Sequence, residues 1–232
     1  MERWLLLISI ILLMLIVVAL KLGMKPQKMM EEEKEVEMSP KPPALSLKAC
    51  SGELIILYDN NPYDPGLETS WGFSCLLTLN ETTILFDTGG DGKLLLRNME
   101  KLGIDPREID IIVLSHIHGD HVGGLDEVLE ADGDAVVYLP ASFPESFKGW
   151  VRDLAREVVE VEEPMLICGC AASTGPMRGG GVDEEALIIN TPGGLVVVTG
   201  CAHPGVVRMV ERAMNLTGLG VRLVVGGFHL SG

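Results

Sequence analysis

Apolar positions in this chain come as one long block followed by a series of short ones, and the two kinds predict different things. The long block runs from Trp4 to Leu20 without a charge. With the stem of Lys21 and Leu22 to Met24 it reaches about 20 residues, the length a helix needs to cross a bilayer. No small-residue cleavage site follows, so residues 1–24 are expected to be an uncleaved transmembrane anchor rather than a signal peptide. Residues 25–48 are expected to be a flexible linker, in which Pro40, Pro42 and Pro43 break any regular element.

From residue 49 to 232 the apolar blocks have the length of strands and are punctuated by turn residues. Residues 53–58 form the first. Residues 71–79 and 82–86 form a hairpin across Asn80-Glu81, and 109–114 reads as a buried strand. Further strands are predicted at 135–139, 158–161, 164–167 and 221–225, with a second hairpin of 184–190 and 194–199 turning at Thr191-Pro192-Gly193. Helical spacing separates them: 93–102 closed by Gly103, 125–130, a stretch within 142–156 with Trp150 inward, and 206–216 with Pro204 near its start. Strands alternating with helices predict a layered α/β domain.

The chemistry collects just past the strand ends. Strand 109–114 runs into Ser115-His116-Ile117-His118-Gly119-Asp120-His121, which places four potential metal ligands within six residues. Imidazole nitrogens and a carboxylate suit zinc, iron or manganese. Strand 194–199 ends in Gly200-Cys201-Ala202-His203-Pro204-Gly205, and the last strand ends in Gly226-Gly227-Phe228-His229. All five histidines lie in these segments, which packing alone would not arrange. Asp87, past strand 82–86, has two readings: a carboxylate that orients a ligand histidine, or the N-cap of the helix at 93–102. Cys201 is either a ligand or a small core residue, and His229 either a ligand or a substrate contact. The glycine-rich stretch 173–181 reads as a mobile loop, or as a substrate lid whose Arg178 meets an anionic group.

Charge narrows the partners. Residues 1–48 hold seven Lys/Arg and six Glu, a net of +1, whereas 49–232 hold eleven Lys/Arg and 27 Asp/Glu, a net of −16. A domain this acidic repels phosphate backbones, so no nucleic acid is expected as a partner. Five cysteines without a C-x-x-C pair suggest free thiols in a reducing compartment. Lys21, Lys25 and Lys28 outnumber Arg3 across the apolar block, which by the positive-inside rule places the domain in the cytoplasm.

His116-Ile117-His118-Gly119-Asp120-His121 resembles the H-x-H-x-D-H hallmark of the metallo-β-lactamase fold, and residues 85–89 resemble the strand signature that precedes it. Trp71-Gly72-Phe73-Ser74, residues 200–205 and residues 226–230 are similar to the dihydropteroate-synthase-like branch, the 7,8-dihydropterin-6-methyl-4-(β-D-ribofuranosyl)aminobenzene 5′-phosphate synthase-like enzymes. The resemblance implies an αβ/βα four-layer sandwich with one or two divalent metal ions at an edge between its sheets. Zinc is foremost, with manganese, iron and magnesium as alternatives. His116, His118 and His203 would hold one ion, and Asp120 and His121 the other. Cys201 stands where many members place a bridging aspartate. Asp120 and His121 would be catalytic, and Arg178 or Lys148 would make the pocket locally positive.

The implied substrate is a small anionic metabolite, a pterin pyrophosphate joined to an arylamine, with a homodimer as one assembly. The alternatives are a hydrolase of a phosphoester, thioester or lactone, and a membrane-tethered remnant that binds metal without turnover. Branch members continue past Gly-Gly-Phe-His-Leu to a His-Cys-Thr-Gly segment. The expectation here is therefore a sandwich lacking its C-terminal elements and one ligand of the second site.

Overall fold

A computed structural model of the chain describes residues 45–132 and 134–229. The expected anchor at 1–24 and all of the linker before Leu45 lie outside the described residues. Among the described residues no helix is long and apolar enough to cross a membrane.

The first sheet contains β1 (Gly52–Tyr58), β2 (Ser74–Leu79), β3 (Thr82–Phe86), β4 (Ile111–Val113), β5 (Val136–Pro140) and β6 (Glu157–Val161), side by side in that order. β1, β2 and β3 are antiparallel, and the β2–β3 turn places Asn80 at φ 52°, the left-handed geometry that tight hairpins require. β3 to β6 are parallel. Parallel neighbours need crossovers, supplied by α1 (Gly92–Leu102), by the short α2 (Gly119–Val122) with α3 (Leu125–Asp132), and by α4 (Glu145–Leu154). α1 starts on Asp91, whose carboxylate accepts the Leu94 N–H at 3.0 Å, and ends on Gly103 at φ 71°. Asp91 is thus the cap, which leaves Asp87 to other work.

β7 (Met165–Leu166), β8 (Ala171–Ser173), β11 (Leu187–Thr191), β12 (Gly194–Thr199) and β13 (Val221–Gly226) form the second sheet, in the order β13-β12-β11-β8-β7. β9 (Met177–Gly179) and β10 (Val182–Glu184) pair as a separate hairpin, and α5 (Val206–Thr217) crosses between parallel β12 and β13.

Alternation along the strands builds the layers. Ile84 and Phe86 of β3 point between the sheets and meet Leu187, Ile189 and Val198, whereas Leu85 turns the other way onto Leu95 and Met99 of α1 and Leu125 of α3. The outer face of the second sheet packs Ile188, Leu195 and Val197 on Met209, Ala213 and Leu216 of α5. Helix, sheet, sheet, helix: the expected αβ/βα sandwich.

Three sequence expectations change. The stretch 173–181 is ordered as the end of β8 and the β9–β10 hairpin, packed so tightly that a Cβ on Gly179 would lie 2.3 Å from Pro204 Cα. Gly179 and Gly180 serve this close approach to His203 and Pro204, and Gly175 packs on Glu163 and Pro164. The linker ends before Leu45: the N–H groups of Leu45, Lys48 and Cys50 donate to the carbonyls of Leu216, Gly169 and Asn190 at 2.9–3.0 Å. Those residues belong to the domain because their backbone groups are satisfied by it.

Finally, Cys50 and Cys170 form a disulfide across a sequence separation of 120, with Cα atoms 5.9 Å apart, inside the range a disulfide needs. A pair this distant has no local spacing signature, which is why the residues read as free thiols. Cys75, Cys168 and Cys201 are unpaired.

Candidate metal centre

Parallel pairing of β3 with β4 sets Phe86 opposite Val113, so Asp87 and Ser115-His116 leave the sheet at the same edge. On the facing sheet β12 and β13 end at the same level, delivering Cys201, His203 and His229. The turns are tight. Asp87, Ala202 and Phe228 each follow one of these strand ends with positive φ, at 56°, 58° and 42°, and such conformations cluster where function fixes the backbone.

The donors converge in two overlapping groups. His116 Nε2 lies 3.1 Å from His118 Nδ1, which lies 3.2 Å from His203 Nε2. Nitrogens bound tetrahedrally at about 2.0–2.1 Å to zinc would sit roughly 3.3 Å apart, so the trio has the spacing of one ion's ligands. Beside it, His121 Nε2 is 3.1 Å from Cys201 Sγ and 3.6 Å from Asp120 Oδ2. His229 extends this group, close to both Cys201 and His203.

One carboxylate sets the tautomers of two of these rings. Asp87 is fully buried. Its Oδ2 accepts a hydrogen bond from the Ser115 hydroxyl at 2.7 Å, and Ser115 Oγ lies 2.9 Å from His116 Nδ1. The hydroxyl's one proton is committed to a carboxylate that has none to give, so Oγ must accept from His116 Nδ1–H. His116 Nε2 is thereby left as a bare lone pair facing the other donors. The same Asp87 Oδ2 receives His121 Nδ1–H at 2.7 Å, while Oδ1 accepts the Ser115 backbone N–H at 2.7 Å. Gly200 completes the fit, because a Cβ there would lie 2.3 Å from Ser115 Oγ.

Electrostatics separate the two groups. Burial and the neighbouring histidines depress His116 to about 2, so this ring is neutral and available at any physiological pH. Burial also lowers His203. For His121, burial alone would lower the pKa, but the charge and hydrogen bond of Asp87, with Cys201, outweigh it and hold the ring at about 10. Without metal, then, His121 carries a proton that an ion must displace.

Two glutamates escaped the sequence reading because they open an apolar strand as an ordinary polar edge. Glu184 Oε1 accepts from Thr199 Oγ and Ala202 N–H at 2.9 and 2.8 Å, and its Oε2 accepts the His203 N–H at 2.7 Å. It therefore holds the Cys201–His203 turn in shape. Glu185 is wholly buried, bonded to Ser173 Oγ through Oε2, with Oε1 unpartnered, and burial pushes its pKa up to about 8. Its N–H donates to the Ser115 carbonyl at 3.0 Å.

A cavity of about 280 Å³ opens onto the second group, lined by Asn60, Trp71, Gly72, Asp120, His121, Cys201 and the 227–229 segment. Neither expected cation joins it. Arg178 is exposed and paired with Asp183 at 3.3 Å. Lys148, on the buried side of α4, is bonded to Glu160 at 2.6 Å and to Glu145. A larger groove of about 440 Å³ follows β1 past Tyr63, Leu67 and Leu102, away from the histidines.

The family model for the metallo-β-lactamase superfamily matches residues 72–215, more than half of the sequence. The chain belongs to this superfamily. Metallo-β-lactamase superfamily members are metal-dependent enzymes, and the expectation of such an enzyme stands. A Methanocaldococcus jannaschii protein named 7,8-dihydropterin-6-methyl-4-(β-D-ribofuranosyl)-aminobenzene-5′-phosphate synthase is 31% identical over 191 residues, 63% of this chain. The match spans 65% of that protein, just under two thirds of its length. Among solved structures, Tm1679, a metal-dependent hydrolase of the β-lactamase superfamily, superposes with a TM-score of 0.62 at 27% identity over 78% of each chain. The metallo-β-lactamase MIM-1 from Novosphingobium pentaromativorans, at 17% identity and a TM-score of 0.51 over 83% of this chain and 81% of its own, shares the fold alone.

The donor set fits a metal of the superfamily's kind. Three converging ring nitrogens, one of them with its other nitrogen tied to Ser115, are a borderline-soft site suited to zinc, manganese or iron. A thiol in the second group favours zinc or iron over magnesium there.

Proposed function

We propose that the chain is a metallo-β-lactamase-fold enzyme for a small anionic metabolite, of the pterin phosphate synthase type. The observation that carries this reading is the convergence of His116, His118, His121, Cys201 and His203, with Asp120, His121 and Cys201 opening onto one small cavity, in a chain 31% identical to a named synthase. His116, His118 and His203 would hold one divalent ion, and Asp120, His121 and Cys201 a second, with His229 at its rim. Bound there, such ions supply Lewis acidity and charge neutralisation for an anionic leaving group.

In the synthase reaction a C–N bond forms between an arylamine nitrogen and the pterin methylene carbon. The C–O bond to pyrophosphate breaks, and the amine loses a proton. Asp120, part-exposed at the cavity wall, is the acceptor this chain offers for that proton. Asp87 and Glu184 act from behind, keeping ring nitrogens and the Cys201–His203 turn in place. The test is product analysis of the metal-loaded protein with a dihydropterin pyrophosphate and an arylamine, beside a panel of phosphoesters, thioesters and lactones. His118→Ala should abolish both metal uptake and turnover, and unchanged metal content would sink the ligand assignment.

Hydrolysis is the second reading, favoured by the likeness to Tm1679, a metal-dependent hydrolase. Turnover of an ester without arylamine would select it.

The membrane anchor at 1–24 and a cytoplasmic domain also remain proposals. The lysine asymmetry supports them, but the thiol argument does not, since Cys50 and Cys170 pair. Protease protection of a tagged carboxyl terminus in sealed membranes decides orientation.

A further inference from the structure

Trp71 is a large apolar side chain with 59% of its surface exposed, and it stands on the wall of the cavity shared with Asp120, His121, Cys201 and His229. Its place is fixed by the backbone beneath it. Gly72, at φ 135°, lets the chain pass so close to the Asp120 carbonyl that a Cβ would sit 2.2 Å from the oxygen. The Phe73 N–H donates to that same carbonyl at 3.3 Å. The indole is thus indexed to the peptide of a donor in the second group. On its other side it meets the His229 ring edge-to-face, with centroids 5.8 Å apart at 81°. Asn60 lines the same cavity and offers an amide donor and acceptor.

The chain neighbour of Trp71, Phe73, and the facing Phe86 are buried, at 1% and 0% exposed, so the exposure of Trp71 is confined to the cavity side of this strand start, as that of Tyr63 is to its own loop. An exposed indole beside the converging donors offers a face on which another ring can stack. The cavity, at about 280 Å³, lies just below the usual range of roughly 300–1,000 Å³ for small-molecule sites.

We infer that Trp71 is the specificity-determining residue of this site: it takes the flat heteroaromatic part of the substrate, leaving the anionic arm to reach the histidines. The inference rests on the small anionic substrate proposed above. Stacking on an aromatic side chain is worth about 1–3 kcal/mol per ring, which converts to roughly 5- to 150-fold in affinity.

The experiment is calorimetric titration of the zinc-loaded full chain with three probes: 6-hydroxymethylpterin pyrophosphate, inorganic pyrophosphate and 6-hydroxymethylpterin itself. The parent should bind the first more tightly than the second by a factor in that range. Trp71→Ala should erase that ring-dependent gain while leaving inorganic pyrophosphate binding and zinc content unchanged, and Trp71→Phe should recover part of it. Retention of the gain in Trp71→Ala overturns the inference, as does equal weakening of both anions, which would mark a structural role. Absence of any ring preference in the parent overturns it as well. Should the pterin bind in a Trp71-dependent way while neither anion binds better than it, Trp71 recognition stands and the anionic-substrate reading falls.

Discussion

Replacing Asp87 with asparagine tests the logic of the centre most directly. The side chains are nearly isosteric, so the fold has no cavity to absorb, but the hydrogen-bond grammar reverses. Oδ2 of Asp87 accepts from both Ser115 Oγ and His121 Nδ1, each at 2.7 Å. An amide nitrogen at that position donates and cannot accept. With the amide oxygen kept on the Ser115 N–H, both partners must then turn acceptor. His121 moves its proton to Nε2, the atom facing Cys201, and the freed Ser115 hydroxyl points at His116 Nδ1, which drives that proton to Nε2 as well. Each ring would present an N–H where a ligand needs a lone pair.

Loss of a carboxylate behind one metal-bound histidine typically costs about 10–100-fold in metal affinity. Here one carboxylate serves two rings, one directly and one through Ser115, so the upper end is expected: about 100-fold, or roughly 2.7 kcal/mol. Competition of the purified variant against a chelating dye measures it, with circular dichroism and a thermal melt to verify the fold. Zinc affinity within about threefold of the parent, in a folded variant, would refute the tautomer argument.

Four further outcomes follow from the same geometry. In chelated protein, His121 is raised from 6.5 to about 10, so its stabilising contribution is complete below pH 6.5 and disappears as pH rises through 10; urea midpoints across that window should fall, and His121→Gln should flatten them. Glu185, raised from 4.5 to about 8, binds its proton more tightly when folded, so stability is lost between pH 4.5 and 8, and Glu185→Gln should remove that slope and raise the midpoint above pH 8. Reduction of Cys50–Cys170 releases a loop with a separation of 120, for which chain entropy predicts a loss of up to about 5 kcal/mol; a melt unmoved by reductant, or peptide maps with both thiols free, contradicts the pairing. Gly200→Ala drives a methyl into Ser115 Oγ and should cost about 1–3 kcal/mol of stability together with metal affinity, whereas a neutral outcome would show that the Ser115 side can yield.

Where a feature was local, the sequence displayed it. Short apolar blocks between turn residues located the strands at 82–86 and 194–199, Gly103 marked the end of α1, and the clustering of histidines past strand ends pointed to the side chains that converge. What stayed hidden depends on elements distant in the chain. Asp87 could be placed after a strand, yet only the capping of α1 by Asp91 and the approach of His121 separate its two roles. Glu184 looks like any charged strand start until the Cys201–His203 turn folds over it. Arg178 and Lys148 were chosen by charge alone, and charge says nothing of the Asp183 and Glu160 that already engage them. The bond between Cys50 and Cys170 required two sheets to be face to face.

That bond also decides how the domain bears tension. Cys50 precedes the first strand of one sheet and Cys170 precedes β8 of the other. A pull arriving along the chain from residue 45 is met first by hydrogen bonds to Leu216 and Gly169, then by a covalent tie into the second sheet. The load passes into β8 before it can unzip β1 from β2, whose ladder would open one rung at a time under such a force. If residues 1–24 hold the chain to a bilayer, the catalytic edge lies beyond a clamp that takes up the strain, and the spacing of its donors is insulated from the tether.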